Sequence, residues 1–404
     1  MEVSDLPFFP TILVAIQEIP ELSSIYLIGS AARGEMSAIN TANGVELFSD
    51  IELLVVTNKH VRAATRKTLF TRMAEIENNV ENPNPLFHID ILLREKYRLS
   101  QMLPTIFTFE LQKNGKLLWG KDAISQTPDI ALHNLDFLDA NEILYKRLWA
   151  ILLHIPKSWL TGELSPTERR VAGYVFCRNT LDIPTVLLPQ AHILLPTYRE
   201  RVTKLMEVYP DLPFATLFGM DFPNFLQMCL VRRLDLNFQN EDMESLYART
   251  IHYLTLAISC ISRQSQSNLS SFHRGFNERP ISPRQWLNVA RLGLQMARQR
   301  GIATAIEWLR QPKKEILSQG LLAMHLALIA WKNGNVKEAE SQLSISEEML
   351  RHLTGNETPV SSPEFPARWQ TARKEWGRFW GDFIRLGDPR YPARHEEIIE
   401  WQHD

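Results

Sequence analysis

An aspartate at the centre of an otherwise apolar strand restricts what a chain can fold into, because an ionised carboxylate there is costly unless it is paired or bound to a cation. Phe87-His88-Ile89-Asp90-Ile91-Leu92-Leu93 is such a run. Asp50-Ile51-Glu52-Leu53-Leu54-Val55-Val56 is a second strand pattern, and its period of two puts Asp50 and Glu52 on one face. Adjacent carboxylates repel each other. Sharing divalent cations relieves the repulsion, and hard oxygen ligands of this kind suit Mg²⁺. Upstream, Ser24-Ile25-Tyr26-Leu27-Ile28 stops at Gly29-Ser30, before Ala31-Ala32-Arg33-Gly34-Glu35. This predicts a strand, a tight turn and a helix start. Glycine lets backbone approach an anion closely, and the following N–H groups with the Ser30 hydroxyl supply donors. The turn is therefore a candidate phosphate cradle, and the acids Asp50, Glu52 and Asp90 suffice for a site of two metal ions.

Gly29-Ser30-Ala31-Ala32-Arg33, then Ser49-Asp50-Ile51-Glu52, then Asp90 resembles the nucleotidyltransferases of the DNA polymerase beta superfamily. Their signature is a Gly-Ser turn, Asp-x-Asp/Glu on a strand and a third acid on a later strand. The text is similar to the minimal and aminoglycoside (kanamycin) branch, over about residues 20–122. The interval from Gly34 to Ser49 is longer than in the minimal enzymes, and no acceptor-side residues match. The resemblance implies transfer of a nucleoside monophosphate from a nucleoside triphosphate to an acceptor, with release of pyrophosphate. Asp50 and Glu52 would hold two Mg²⁺ ions, or Mn²⁺, and Asp90 would hold the acceptor-side ion. Gly29 and Ser30 would bind the leaving phosphates, with Arg33 helping to neutralise them. ATP is the default donor because it is abundant.

Elsewhere the sequence is that of a globular protein of 404 residues with 45% hydrophobic content and a net charge of −2. That charge gives no extended surface for nucleic acid. Cys177, Cys229 and Cys260 form no CxxC pair and read as reduced core thiols, which favours a cytoplasmic location. No apolar run approaches the roughly 18 residues needed to span a bilayer, so no membrane partner is expected, and no targeting signal is evident.

Helical spacing predicts a helix over Phe9–Ile19 and another over Lys59–Val80. The strand, helix, strand, strand alternation predicts a small mixed sheet. Asn114 to Asp122 looks like a hairpin return ending this part. From Leu138 to Ile261 the pattern is helical, with candidates at Asn141–His154, Thr167–Leu181 and Tyr198–Val208 punctuated by prolines. Glu142 is a candidate general base for an acceptor hydroxyl, although a glutamate at a helix start also stabilises the macrodipole with no further role. Arg199 and Arg201 are either triphosphate contacts or helix-surface charges. The Ser- and Gln-rich stretch from Ser262 to Arg284 reads as a linker. Beyond it, Leu326 to Ala339 resembles a single tetratricopeptide hairpin, which an ordinary antiparallel helix pair also explains. Trp369, Trp376, Phe379, Trp380 and Phe383 read as a buried docking face.

The expected fold is α+β, a small mixed-sheet nucleotidyltransferase core followed by predominantly α-helical domains. The expected divisions are residues 1–125 for the catalytic domain, 136–262 for a helical acceptor-side domain, 263–284 for a linker and 285–404 for a C-terminal helical domain. The expected acceptor is a small hydroxylated molecule. Transfer to a protein side chain or a tRNA end, or a catalytically idle helical interaction protein, are the alternatives.

Overall fold

The structure is a computed structural model, and it describes residues 2–41, 44–80, 87–132, 135, 138–267, 313–354 and 364–383, with Leu294, Ala297 and Ile302 as isolated positions. It is α+β, with a four-stranded mixed sheet near the N-terminus and a helical remainder. The chain divides into two compact units, Met1–Asn141 with Thr180–Phe238, and Glu142–Asn179 with Gln239–Asp404.

In the first unit α1 (Phe9–Gln17) leads into β1 (Leu22–Ile28), and Gly29–Ala32 form the single turn α2. The long interval that follows contains a hairpin, β2 (Ala38–Thr41) paired with β3 (Gly44–Leu47). Next come β4 (Ile51–Thr57), α3 (Ala63–Asn79), β5 (Ile89–Glu95), α4 (Lys96–Leu99), α5 (Ile106–Asn114) and β6 (Lys116–Gly120). The sheet order is β5-β4-β1-β6. β4 and β5 run parallel across the α3 crossover, and β1 is antiparallel to both β4 and β6.

β4 is rich in β-branched residues and lies inside the sheet, so both of its faces are covered. Leu53 and Val55 pack with Ile25, Leu27 and Ile89 against Ile12, Ile16, Leu69 and Met73 of α1 and α3. Leu54 and Val56 pack on the other face with Tyr26 and Ile28 against Leu99, Leu111 and Ile124. The Tyr26 hydroxyl donates to Asp122 Oδ1 at 2.9 Å and accepts from the Ile124 N–H at 3.3 Å, which fixes the chain leaving β6.

After the sheet come α6 (Leu138–Leu153), α7 (Pro166–Thr180), α8 (Asp182–Leu187), α9 (Tyr198–Val208), α10 (Ala215–Phe218), α11 (Phe222–Asp235) and α12 (Met243–Ser267). The segment expected as one acceptor-side domain is shared: α8 to α11 cluster with the sheet, while α12 and most of α6 and α7 belong to the second unit. α12 also runs six residues into the stretch read as a linker, since Ser262–Ser267 contains no glycine or proline to stop it. Helical spacing also recurs over Trp286–Arg300 and Ala303–Arg310, but these segments and the remainder of that stretch lie outside the described residues apart from the isolated positions.

In the second unit α13 (Lys313–Lys332) and α14 (Val336–Thr354) pack as an antiparallel pair, and α15 (Phe365–Phe383) packs on α14. Gly334, at φ +74°, makes the turn between the pair. Trp369, Trp376 and Phe379 are buried, as the aromatic stripe predicts. A Cβ on Gly320 would come within 2.4 Å of the Trp376 ring, so glycine is what admits that indole. The unit also encloses His325, whose Nε2–H donates to the Leu148 carbonyl at 3.0 Å while Nδ1 accepts from the Tyr247 hydroxyl at 2.7 Å. Both nitrogens are thereby satisfied in the neutral ring.

Burial holds the His325 pKa down at about 3, against an ordinary 6.5. Between these values the unfolded chain binds a proton that the folded chain refuses, so stability present above pH 6.5 is lost as the pH falls toward 3. The melting temperature of this unit should therefore drop across that window. In His325→Gln the dependence should flatten, and a slope equal to wild type would assign the acid lability to other groups.

Candidate active site

β1 ends where β4 and β5 begin, and the three meet at one end of the sheet. In the ladder Glu52 stands opposite Ile28 on one side and Asp90 on the other. Asp50 and His88 precede Glu52 and Asp90 by two residues, so all four side chains share one face. The Ile51 N–H donates to the His88 carbonyl at 3.0 Å and starts the parallel pairing. Behind it, Glu77 Oε1 of α3 accepts from the Ile89 N–H at 2.6 Å. Ser49 Oγ accepts from the Ser37 N–H at 2.9 Å and anchors the approach to Asp50.

Gly29 turns the chain at φ +66°, and a Cβ there would fall 1.5 Å from Glu52 Oε2. The Glu52 carboxylate thus lies directly against the glycine backbone, a placement that any side chain at 29 would deny it. Ser30 is buried at the start of α2, beside this contact.

His88 was not foreseen. Its Nδ1 lies 2.6 Å from Asp50 Oδ1 and its Nε2 lies 3.1 Å from Asp90 Oδ2. Burial opposes charge on this ring, but Asp50 and Asp90 outweigh it and hold the pKa well above the ordinary imidazole value. The signal was present in the sequence, since His88 precedes Asp90 by one strand period and therefore shares its face. Side-chain exposure rises from 11% at Asp50 to 39% at Asp90, so the cluster opens to solvent on the β5 side.

Arg33 points into a buried network. It donates to Glu110 Oε2 at 2.8 Å and to Glu35 Oε2 at 3.3 Å. Burial opposes its charge, while Glu110, Tyr198, Glu35 and Glu52 raise its pKa above the usual arginine value. Glu35 Oε1 accepts from the Arg199 N–H at 2.9 Å and Oε2 accepts from the Tyr198 N–H at 3.2 Å, so this carboxylate caps α9. Arg201 also reaches Glu110, and it donates to Thr185 Oγ1 at 2.8 Å. It is buried and not a surface charge, whereas the Arg199 side chain is exposed. The Tyr198 ring has the guanidinium carbons of Arg33, Arg201 and Arg233 at 5.1, 5.8 and 5.2 Å. Glu142 falls in α6, and its side chain lies outside the described residues.

Among the described residues no three His, Cys, Asp or Glu side chains converge into a group that could hold a metal ion as they stand. The donor chemistry of Asp50, Glu52 and Asp90 nevertheless fits a hard divalent cation. Asp50 and Asp90 are turned to His88, which lies between them, while the Glu52 carboxylate lies against Gly29. Among the described residues no helix is long and apolar enough to cross a membrane, and Cys177, Cys229 and Cys260 are buried free thiols.

No family model matches the chain and no curated protein does. Among solved structures it is similar to spectinomycin adenyltransferase AAD(9) from Enterococcus faecialis, in a crystal structure with ATP and spectinomycin. The identity is 12% and the TM-score 0.36, covering 61% of this chain and 98% of that one.

Truncating Glu35, which is 2% exposed, removes one of the two carboxylates on Arg33 and leaves the Tyr198 and Arg199 N–H groups without their acceptor. Glu35→Ala should destabilise the first unit by about 1–3 kcal/mol, the cost of leaving buried donors unsatisfied, because Glu110 still pairs Arg33 and the Thr197–Glu200 capping box remains. Amide exchange in β4 and α9 should speed up accordingly, and unchanged protection would show that the network is not holding this unit.

Proposed function

We propose that the chain is a metal-dependent nucleotidyltransferase that moves a nucleoside monophosphate, AMP from ATP by default, to a hydroxyl of a small-molecule acceptor. The observation that supports this reading best is the meeting of Asp50, Glu52 and Asp90 on one face at one sheet end, beside the Gly29-Ser30 turn. An acid cluster of that kind has little structural value, because like charges gathered at a strand end are mutually destabilising.

In this reading Asp50 and Glu52 would hold two Mg²⁺ or Mn²⁺ ions, with Asp90 on the acceptor side. Bound there, the ions supply positive charge for the attacking hydroxyl and the departing pyrophosphate. The acceptor hydroxyl loses its proton to a general base, for which Glu142 is the candidate, as its oxygen forms a bond to the α-phosphorus, and the bond from that phosphorus to the β-bridging oxygen breaks to release pyrophosphate. The Ser30 hydroxyl and the backbone donors of the turn hold the leaving phosphates. Arg33 contributes field from behind Glu52, its own hydrogen bonds being taken by Glu35 and Glu110. Residues 1–125 carry the chemistry, and the helical segments after Asp122 select the acceptor. A cytoplasmic enzyme with reduced thiols is the matching setting.

Incubation with labelled ATP and Mg²⁺, offered separately to a panel of hydroxylated compounds, total RNA and a protein lysate, tests the reading. Label should pass to a small molecule with release of pyrophosphate. Labelling of RNA or protein alone would overturn the acceptor class, and no magnesium-dependent labelling would overturn the transfer.

Asp50→Asn, Glu52→Gln and Asp90→Asn should each lower turnover by at least about a hundredfold, several kcal/mol of transition-state stabilisation, with circular dichroism like wild type. Ser30→Ala removes one neutral hydrogen bond of about 0.5–1.5 kcal/mol and should cost about two- to tenfold. A Ser30→Ala enzyme as inactive as Asp50→Asn would exclude the cradle role.

A further inference from the structure

We propose that the end of the sheet away from the acid cluster is a binding surface for single-stranded nucleic acid. Arg66, Arg94 and Arg98 take the phosphates there, and Tyr97 stacks a base. The inference is independent of the transferase reading and uses none of the residues placed in that site.

Residues 57–67 hold Lys59, Arg62, Arg66 and Lys67 and no acid, and residues 94–98 hold Arg94, Lys96 and Arg98 with Glu95 alone against them. The parallel ladder sets Val56 opposite Arg94 and Thr57 opposite Glu95, so both segments leave the sheet at one place. There the Glu95 carboxylate is shared, with His60 Nδ1 at 2.8 Å and Arg98 Nε at 3.1 Å. It ties the connection between β4 and α3 to α4. Lys59, Arg62, Arg66, Arg94 and Arg98 are exposed. Arg94 stands four residues beyond Asp90 on β5, about 13 Å along the strand, so this surface is remote from the acids.

The gathered charges oppose folding. Partial desolvation disfavours the charged form of Arg94, and Arg98 and Arg66 disfavour it further, with Glu95 acting against them. Arg62 is the N-cap of α3 and Arg66 lies one turn in, with no acid in that turn, although a helix start carries partial positive charge and favours anions. A polyanion lying across these residues relieves both repulsions.

Phosphate is the anion that fits, because the planar fork of a guanidinium matches phosphate oxygens in pairs. Beside the arginines Tyr97 is 56% exposed, with the Arg98 guanidinium carbon 5.6 Å from its ring centre. An aromatic face next to a cation suits a single strand, whose bases stack while its phosphates pair. An acidic polypeptide would engage the arginines and leave Tyr97 unused. The net charge of −2 conceals the surface because the asymmetry is local.

Fluorescence anisotropy of the full chain with labelled single-stranded RNA and DNA, a DNA duplex and poly-glutamate tests the inference. The single strands should bind with an affinity that falls steeply with salt, at a logarithmic slope of about −2 to −3 for three or four phosphates. Binding of either strand sustains the inference, and the tighter one names the sugar. Arg66→Glu combined with Arg98→Glu should weaken binding at least about tenfold and flatten the slope, and Tyr97→Ala should weaken it about tenfold. No binding by wild type, or unchanged binding in the double variant, would overturn the inference. So would tighter binding of poly-glutamate than of the strands, or a duplex bound as tightly as they are with Tyr97→Ala unchanged. Should the double variant not fold, lysine acetylation of the wild type decides: a single strand should protect Lys59, Lys67 and Lys96, and protection confined to other lysines overturns the inference.

Discussion

The Glu52 carboxylate against the Gly29 backbone depends on the pairing of β1 with β4 and of β4 with β5. Glu52 stands opposite Ile28 and Asp90, and a slip of one residue in β4 would send its acids to the opposite face, among Ile25, Leu27 and Ile89. Register here is consequently enforced from both faces. Leu53 and Val55 must reach one apolar cluster, Leu54 and Val56 the other, and the charged positions fall at the only end where neither cluster covers them. The acids are tolerated because the hydrophobic pattern leaves them at the mouth of the sheet.

A second constraint comes from buried guanidinium groups. Arg33, Arg201 and Arg233 surround the Tyr198 ring, and Glu35, Glu110 and Asp182 accept from Arg33, Arg201 or Tyr198. Replacing such a network with apolar residues can leave stability unchanged or raise it, so its value here is geometric. Glu35 accepts both from Arg33 in the turn and from the Tyr198 and Arg199 N–H groups, which fixes α9 against the turn that follows β1.

The sheet was legible because alternation, crossover helix and turn residues agree over residues 22–95. The bounds of α9 match the expected Tyr198–Val208, since Thr197 and Glu200 form a capping box visible in the sequence. The hairpin of β2 and β3 was not legible, because Ala38–Thr41 and Gly44–Leu47 are short and weakly patterned and gain their order from pairing. Nor was the burial of Arg201, which reads as a helix-surface charge until Glu110, from ninety residues earlier, is brought beside it. Local pattern reports strands and caps; it does not report which distant carboxylate an arginine will meet. His88 lies between these cases, since its face was readable and its partner across the ladder depended on the register.

The acid cluster and the arginine network solve the same electrostatic problem in opposite ways. Around Tyr198, Arg33 and Arg201 are ion-paired and little exposed. At the sheet end the His88 ring lies at hydrogen-bond distance from Asp50 and from Asp90, and Asp90 is 39% exposed. The exposure gradient from Asp50 to Asp90 therefore separates the two clusters: the buried one joins the turn carrying Arg33 to α9, and the other opens to solvent on the β5 side.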